Sequence, residues 1–101
     1  MDKLIRTKLR DKILKTNPDA QFIELTSGAV ENELEKKLLE EIQEFIEAKS
    51  ANEKTEEMAD ILEVIDAFYS FDLLKKEQVL HAKTKKYVER GGFKEGIYWK
   101  K

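Results

Sequence analysis

A chain of 101 residues, 40% charged and 41% hydrophobic, has the size of one domain and enough apolar side chains for one core, which excludes a wholly disordered chain. The net charge of -2 leaves no broad cationic footprint for nucleic acid, no apolar run approaches the roughly 18 residues of a membrane span, and Met1 to Leu14 lacks a signal-peptide core. Cysteine is absent and His81 is the only histidine, which excludes disulfides, thiol nucleophiles and ordinary structural zinc, so any metal must sit on oxygen.

In chain order, Leu4, Ile5, Leu9, Ile13 and Leu14 are spaced for a short amphipathic helix that must end near Asn17-Pro18. Gln21 to Leu25 is rich in strand formers and reads as a short strand. Thr26 or Ser27 can cap the next helix, about Ala29 to Ala48, with Val30, Leu34, Leu38, Ile42, Phe45 and Ile46 at helical spacing. Ser50, three residues before Glu53, forms a capping-box pattern for a helix reaching about Phe71. The short connection makes these two helices an antiparallel hairpin. A last helix, about Lys75 to Arg90, stops at Gly91-Gly92, and Phe93 to Trp99 is extended and able to pair with Gln21 to Leu25. The expected fold is therefore mainly all-α, one domain over residues 1–101, with a minor two-stranded β element.

Charge is unevenly spread: Met1 to Lys15 is basic, Glu31 to Asp66 acidic, and Lys75 to Lys101 basic again. On a helical wheel most acids lie on the solvent face, but four do not. With Leu38 at zero, Glu41 falls at about -60° inside the apolar arc, and Glu44 flanks it at about -120°. With Ile61 at zero, Glu57 falls at about -40° between Val64 and Phe68, and Asp60 flanks it at about -100°. Glu47, Glu56, Glu63 and Asp66 point away. Each helix thus presents an acid pair at i and i+3, and a hairpin can bring the pairs together. Carboxylates gathered at a helix interface need a positive partner, either a hard cation such as Mg²⁺ or lysines such as Lys37 and Lys54. On the last helix Lys83, Lys86 and Arg90 form one basic stripe, suited to phosphate or simply a solvated face that favours the helix dipole. His81 falls on the polar side of the same helix and receives no role.

Glu41-Ile-Gln-Glu44, preceded by Glu40 and followed by Glu57-Met-Ala-Asp60, resembles the E-E-x-x-E, E-x-x-D signature of the MazG-like all-α nucleoside triphosphate pyrophosphohydrolases. Lys3-Leu-Ile-Arg6, Arg10-Asp-Lys-Ile13, the stretch Glu57 to Ala67 and Arg90-Gly-Gly-Phe93 look like its small phosphoribosyl-ATP pyrophosphohydrolase-like branch. Thr7, Lys8 and Leu9 separate two pieces that the family joins, and the proline often found after the second is missing. Arg6 and Arg10 therefore compete for one role, and neither is assigned it.

The resemblance implies that Glu41, Glu44, Glu57 and Asp60 bind Mg²⁺, with Mn²⁺ as an alternative ion, and that a water of lowered pKa attacks phosphorus to release pyrophosphate and a nucleoside monophosphate. It implies Glu41 or Glu44 as the catalytic base, and Lys83, Lys86 and Arg90 as phosphate-binding groups. The leading expectation is a cytoplasmic housekeeping enzyme acting on non-standard or surplus nucleoside triphosphates, with no nucleic-acid or membrane partner. The alternatives are the histidine-pathway step on phosphoribosyl-ATP and, from another class, a non-catalytic helical interaction module. Because the family commonly pairs its hairpins into four-helix assemblies, a homodimer or dimer of dimers is expected.

Overall fold

Two long amphipathic helices joined by three residues must fold back on each other, because so short a connection spans only the gap between neighbouring antiparallel helices. In the computed structural model, which describes residues 2–101, this hairpin consists of α2 (Ser27–Glu47) and α3 (Ala51–Ser70), preceded by α1 (Leu9–Thr16) and followed by α4 (Lys76–Arg90). The turn is fixed locally by a capping box. Ser50 Oγ accepts from the Glu53 N–H at 3.1 Å, while the Lys49 N–H donates to Glu53 Oε2 at 3.2 Å. Lys54 then ties the two helices together, since its ammonium donates to the Phe45 carbonyl at 2.8 Å and sits 4.6 Å from the Phe45 ring centre.

The turn also sets the register. Leu34 and Val64 lie at equal sequence distance on either side of Lys49, as do Val30 and Phe68, so an antiparallel pair places them opposite each other. They form the core: Val30, Leu34 and Val64 are buried, with Leu38, Ala67 and Phe68 packed against them. Two segments outside the hairpin close this end, Leu4 and Leu25 from the N-terminal part and Leu73 from the turn after α3. That turn passes through Asp72 at φ 59°, in the left-handed region that aspartate tolerates better than most residues. The Leu73 N–H donates to the Phe68 carbonyl at 3.0 Å, folding Leu73 back onto the core. α4 ends where Gly91, at φ 75°, leaves the helical conformation and donates to the Tyr87 carbonyl at 2.8 Å.

Two expectations need correction. The first helix begins at Leu9, not Leu4, because Leu4 is held against the core by a non-helical segment and gains its burial without helical periodicity. No β-strand forms among the described residues: Gln21 to Leu25 and Phe93 to Trp99 stay irregular. Leu25 packs on the core, but most of the apolar surface of the two segments stays uncovered, as Ile23 is 83% and Phe93 99% exposed, and an isolated two-stranded ribbon is marginal in water.

Among the described residues, the only extensive helix packing is between α2 and α3. The radius of gyration, 17.6 Å, exceeds the roughly 13 Å of a compact chain of this length, and every residue from Leu80 onward is exposed. No described helix is long and apolar enough to cross a membrane. Stability should thus be concentrated at the core end of the hairpin. Leu34→Ala is expected to cost about 3 kcal/mol in chemical denaturation, whereas Ala29, exposed on the same helix, tolerates Ser at under about 1 kcal/mol.

Candidate metal centre

Midway along the hairpin the register that pairs leucine with valine pairs acid with acid. Glu41 and Glu57 lie at equal distance from Lys49, so the fold faces them across the interface, and Glu44 follows Glu41 by one helical turn. One carboxylate oxygen from each of Glu41, Glu44 and Glu57 lies within 4.8 Å of the other two. Glu41 is the only buried charged residue among those described, at 6% exposure. Glu57 is half-buried and Glu44 stands at the exposed rim. The acids that the wheel turned outward, Glu47, Glu56, Glu63 and Asp66, are all exposed.

The surroundings satisfy this cluster only in part. Lys37, one turn before Glu41, places its ammonium 3.4 Å from Glu41 Oε1 and 3.4 Å from Glu40 Oε2. Oε2 of Glu41 and Oε2 of Glu57 are buried without a hydrogen-bond partner among the described residues. A buried, unpaired carboxylate oxygen is costly, and two like charges 4.8 Å apart repel by roughly 3 kcal/mol at an effective dielectric of about 20. This cost favours the protonated forms of the carboxyls. Burial, and then the neighbouring Glu44 carboxyl, raise the pKa of Glu41 above 4.5, with Lys37 opposing the shift. Glu44 is raised as well, first because its carboxyl loses water as it turns toward the cluster and then by its contact with Glu57. A divalent cation binding there would compete with protons for these carboxylates.

Three hard oxygen donors converging from two helices, two of them with orphaned atoms, can hold a metal ion. The cluster is smaller than the sequence indicates, since Asp60 is not part of it. Its Oδ1 accepts from Arg6 Nη2 at 2.6 Å, a partner 54 residues away that no periodicity in the sequence reveals. Lys83, Lys86 and Arg90 are exposed on α4, and no ion pair joins them to any acid among the described residues. His81 is exposed too. No family model, curated protein or solved structure matches the chain.

The raised acids give a signed pH dependence. A carboxyl whose native pKa exceeds its unfolded value adds stability that is fully present below pH 4.5 and is lost as pH rises through the raised value. In metal-free buffer, melting curves should therefore show wild type losing ground to Glu41→Gln between pH 4.5 and 7.5. Added Mg²⁺ should reverse the order at pH 7.5, because only the ionised carboxylate binds it. Parallel pH profiles for the two proteins would refute the raised pKa of Glu41.

Proposed function

We propose that this chain is a Mg²⁺-dependent nucleoside triphosphate pyrophosphohydrolase that clears non-standard or surplus nucleotides. The observation behind this reading is the buried carboxylate of Glu41, with its orphaned Oε2, clustered with Glu44 on the same helix and Glu57 across the hairpin. Its support in the sequence is the two-part acidic signature, whose inward-facing members are the residues that cluster. An all-oxygen donor set matches Mg²⁺ or Mn²⁺, which retain open positions for phosphate and water.

Glu41, Glu44 and Glu57 would hold the ion, and Asp60, one turn beyond Glu57 on α3, would complete the set. When bound, the ion supplies a Lewis acid that draws charge from the phosphates and lowers the pKa of a water. Glu44, at the rim and open to solvent, would accept the proton of the attacking water. Water adds to phosphorus, the anhydride bond breaks, and pyrophosphate leaves with the bridging oxygen, giving the nucleoside monophosphate. Phosphoribosyl-ATP has the same anhydride and remains the rival substrate, which a pyrophosphate-release screen against both classes separates.

The second reading, a non-catalytic helical module, is favoured by one specific feature: Leu39, Ile46 and Leu62 on the hairpin and Tyr98 and Trp99 beyond α4 are exposed by more than half. A protomer this open also supports a homodimer or dimer of dimers. Light scattering should give a mass above the 11.8 kDa monomer at micromolar concentration, and a monomer would count against assembly. Enzyme and module part on Mg²⁺: a ligand that binds only the folded state raises its melting temperature, and no rise at millimolar Mg²⁺ would favour the module.

Glu57→Gln keeps size and hydrogen bonding but removes a charge that the metal needs. It should lower turnover at least about a hundredfold, roughly 3 kcal/mol of transition-state stabilisation. In EDTA it should melt at the same or higher temperature than wild type, because repulsion in the cluster is relieved. Exposed Glu63, changed to Gln, should alter neither quantity. Full Mg²⁺-dependent turnover by Glu57→Gln would place the site elsewhere.

A further inference from the structure

Arg6 is brought to the edge of the acid cluster from the far end of the sequence, and its segment is anchored on both sides. Leu4 packs against the Val30, Leu34 and Val64 core, and the Leu9 N–H donates to the Arg6 carbonyl at 3.0 Å. Packing thus fixes where the guanidinium can reach. Of its five N–H donors, one is engaged, by Asp60 Oδ1 at 2.6 Å, and the side chain is 60% exposed. An exposed ion pair is a weak bond, readily given up when either partner finds a stronger one. Asp60 has such a partner within one helical turn, at the site formed by Glu41, Glu44 and Glu57. An arginine released there would present a planar fork of donors to solvent beside the acids, a geometry matched to phosphate oxygens.

The geometry points to Arg6 as a substrate-binding residue that exchanges partners: it holds Asp60 while the site lacks metal, and it takes a phosphate of the nucleotide once Asp60 turns to the ion. This role rests on the metal-centre reading and deepens it, assigning phosphate recognition to the N-terminal segment. The exchange also keeps charge balanced. Without metal, Arg6 offsets one acid of the acidic face. With metal and nucleotide present, the ion meets the carboxylates and the guanidinium meets the phosphates. Arg10, in the same basic segment, is not equivalent, because the acid it meets, at 3.9 Å, is the exposed Glu24 and not Asp60.

Calorimetric titration separates the two halves of this role, because they move in opposite directions. With Mn²⁺ alone, Arg6→Gln should bind about threefold more tightly than wild type, since Asp60 is no longer held back. With inorganic pyrophosphate in saturating Mg²⁺, the same variant should bind at least about tenfold more weakly, having lost a charge-assisted hydrogen bond. Arg6→Lys should bind Mn²⁺ like wild type yet recover only part of the pyrophosphate affinity, because an ammonium keeps the charge but lacks the fork. Arg10→Gln should match wild type in both titrations, and an equal response there would reduce the effect to general electrostatics and overturn the role. Unchanged pyrophosphate affinity in Arg6→Gln, or weaker binding of both ligands, would also overturn it. The premise is tested separately: if wild type binds no Mn²⁺, or Glu57→Gln binds it equally well, the metal centre itself is wrong, whereas Mn²⁺ binding lost only in Glu57→Gln leaves the centre standing whatever Arg6 does.

Discussion

The burial of Glu41 in the seam of the hairpin is the constraint around which the rest of the molecule is arranged. A helix interface of this size gains most by being apolar throughout, and the chain is apolar at both ends of the seam: Val30, Leu34 and Val64 at one, Phe45 beneath Lys54 at the other. Between them the register imposed by a three-residue turn sets acid against acid. One oxygen of Glu41 is answered by Lys37, and the other has no hydrogen-bond partner among the described residues. Such a group persists only where the surrounding packing over-determines its position, as the capping box and the Lys54 contacts do here.

The sequence displays much of this arrangement because helical periodicity is a local property. The three long helices fall within about two residues of where their apolar spacing and caps place them, a margin that fraying ends allow. The wheel sorts Glu41 and Glu57 from Glu47, Glu56, Glu63 and Asp66 for the same reason: burial on a helix follows from angle alone. What the wheel misses is non-local. Leu4 looks helical because it is spaced like a helical residue from Ile5, Leu9 and Ile13, yet it is buried by packing on residues of another segment. Phe93 to Trp99 has strand composition, but pairing needs a covered face that the neighbouring chain does not offer. Asp60 shows the same limit at the site, since nothing near it in sequence announces Arg6.

The alternation of basic, acidic and basic blocks acquires a physical meaning in the fold. The first basic block meets the acidic hairpin at one ion pair, that of Arg6 with Asp60. In the last block Lys83, Lys86 and Arg90 remain exposed on α4, with no ion pair to any acid among the described residues. A stripe of lysine and arginine at helical spacing therefore says only that one side of a helix is charged. Whether it faces an acidic pocket depends on the angle at which α4 leaves the hairpin, which is set by the left-handed Asp72 and the return of Leu73 to the core.

These features together link the proposed assembly to the proposed chemistry. Three buried apolar side chains make a small core for a chain that also tolerates a buried acid cluster. Meanwhile Leu39, Ile42 and Ile46 recur along one side of α2, and Met58 and Leu62 along α3, all of them exposed. Pairing two such faces would bury apolar area at roughly 25 cal/mol per Å², without touching Glu41, whose side of α2 is already occupied by α3. The hairpin would then be clamped from outside by its partner and held open inside by repulsion among Glu41, Glu44 and Glu57. A cation entering that seam would meet donors that need little rearrangement to receive it, so binding free energy would go into holding substrate phosphates instead of ordering the site.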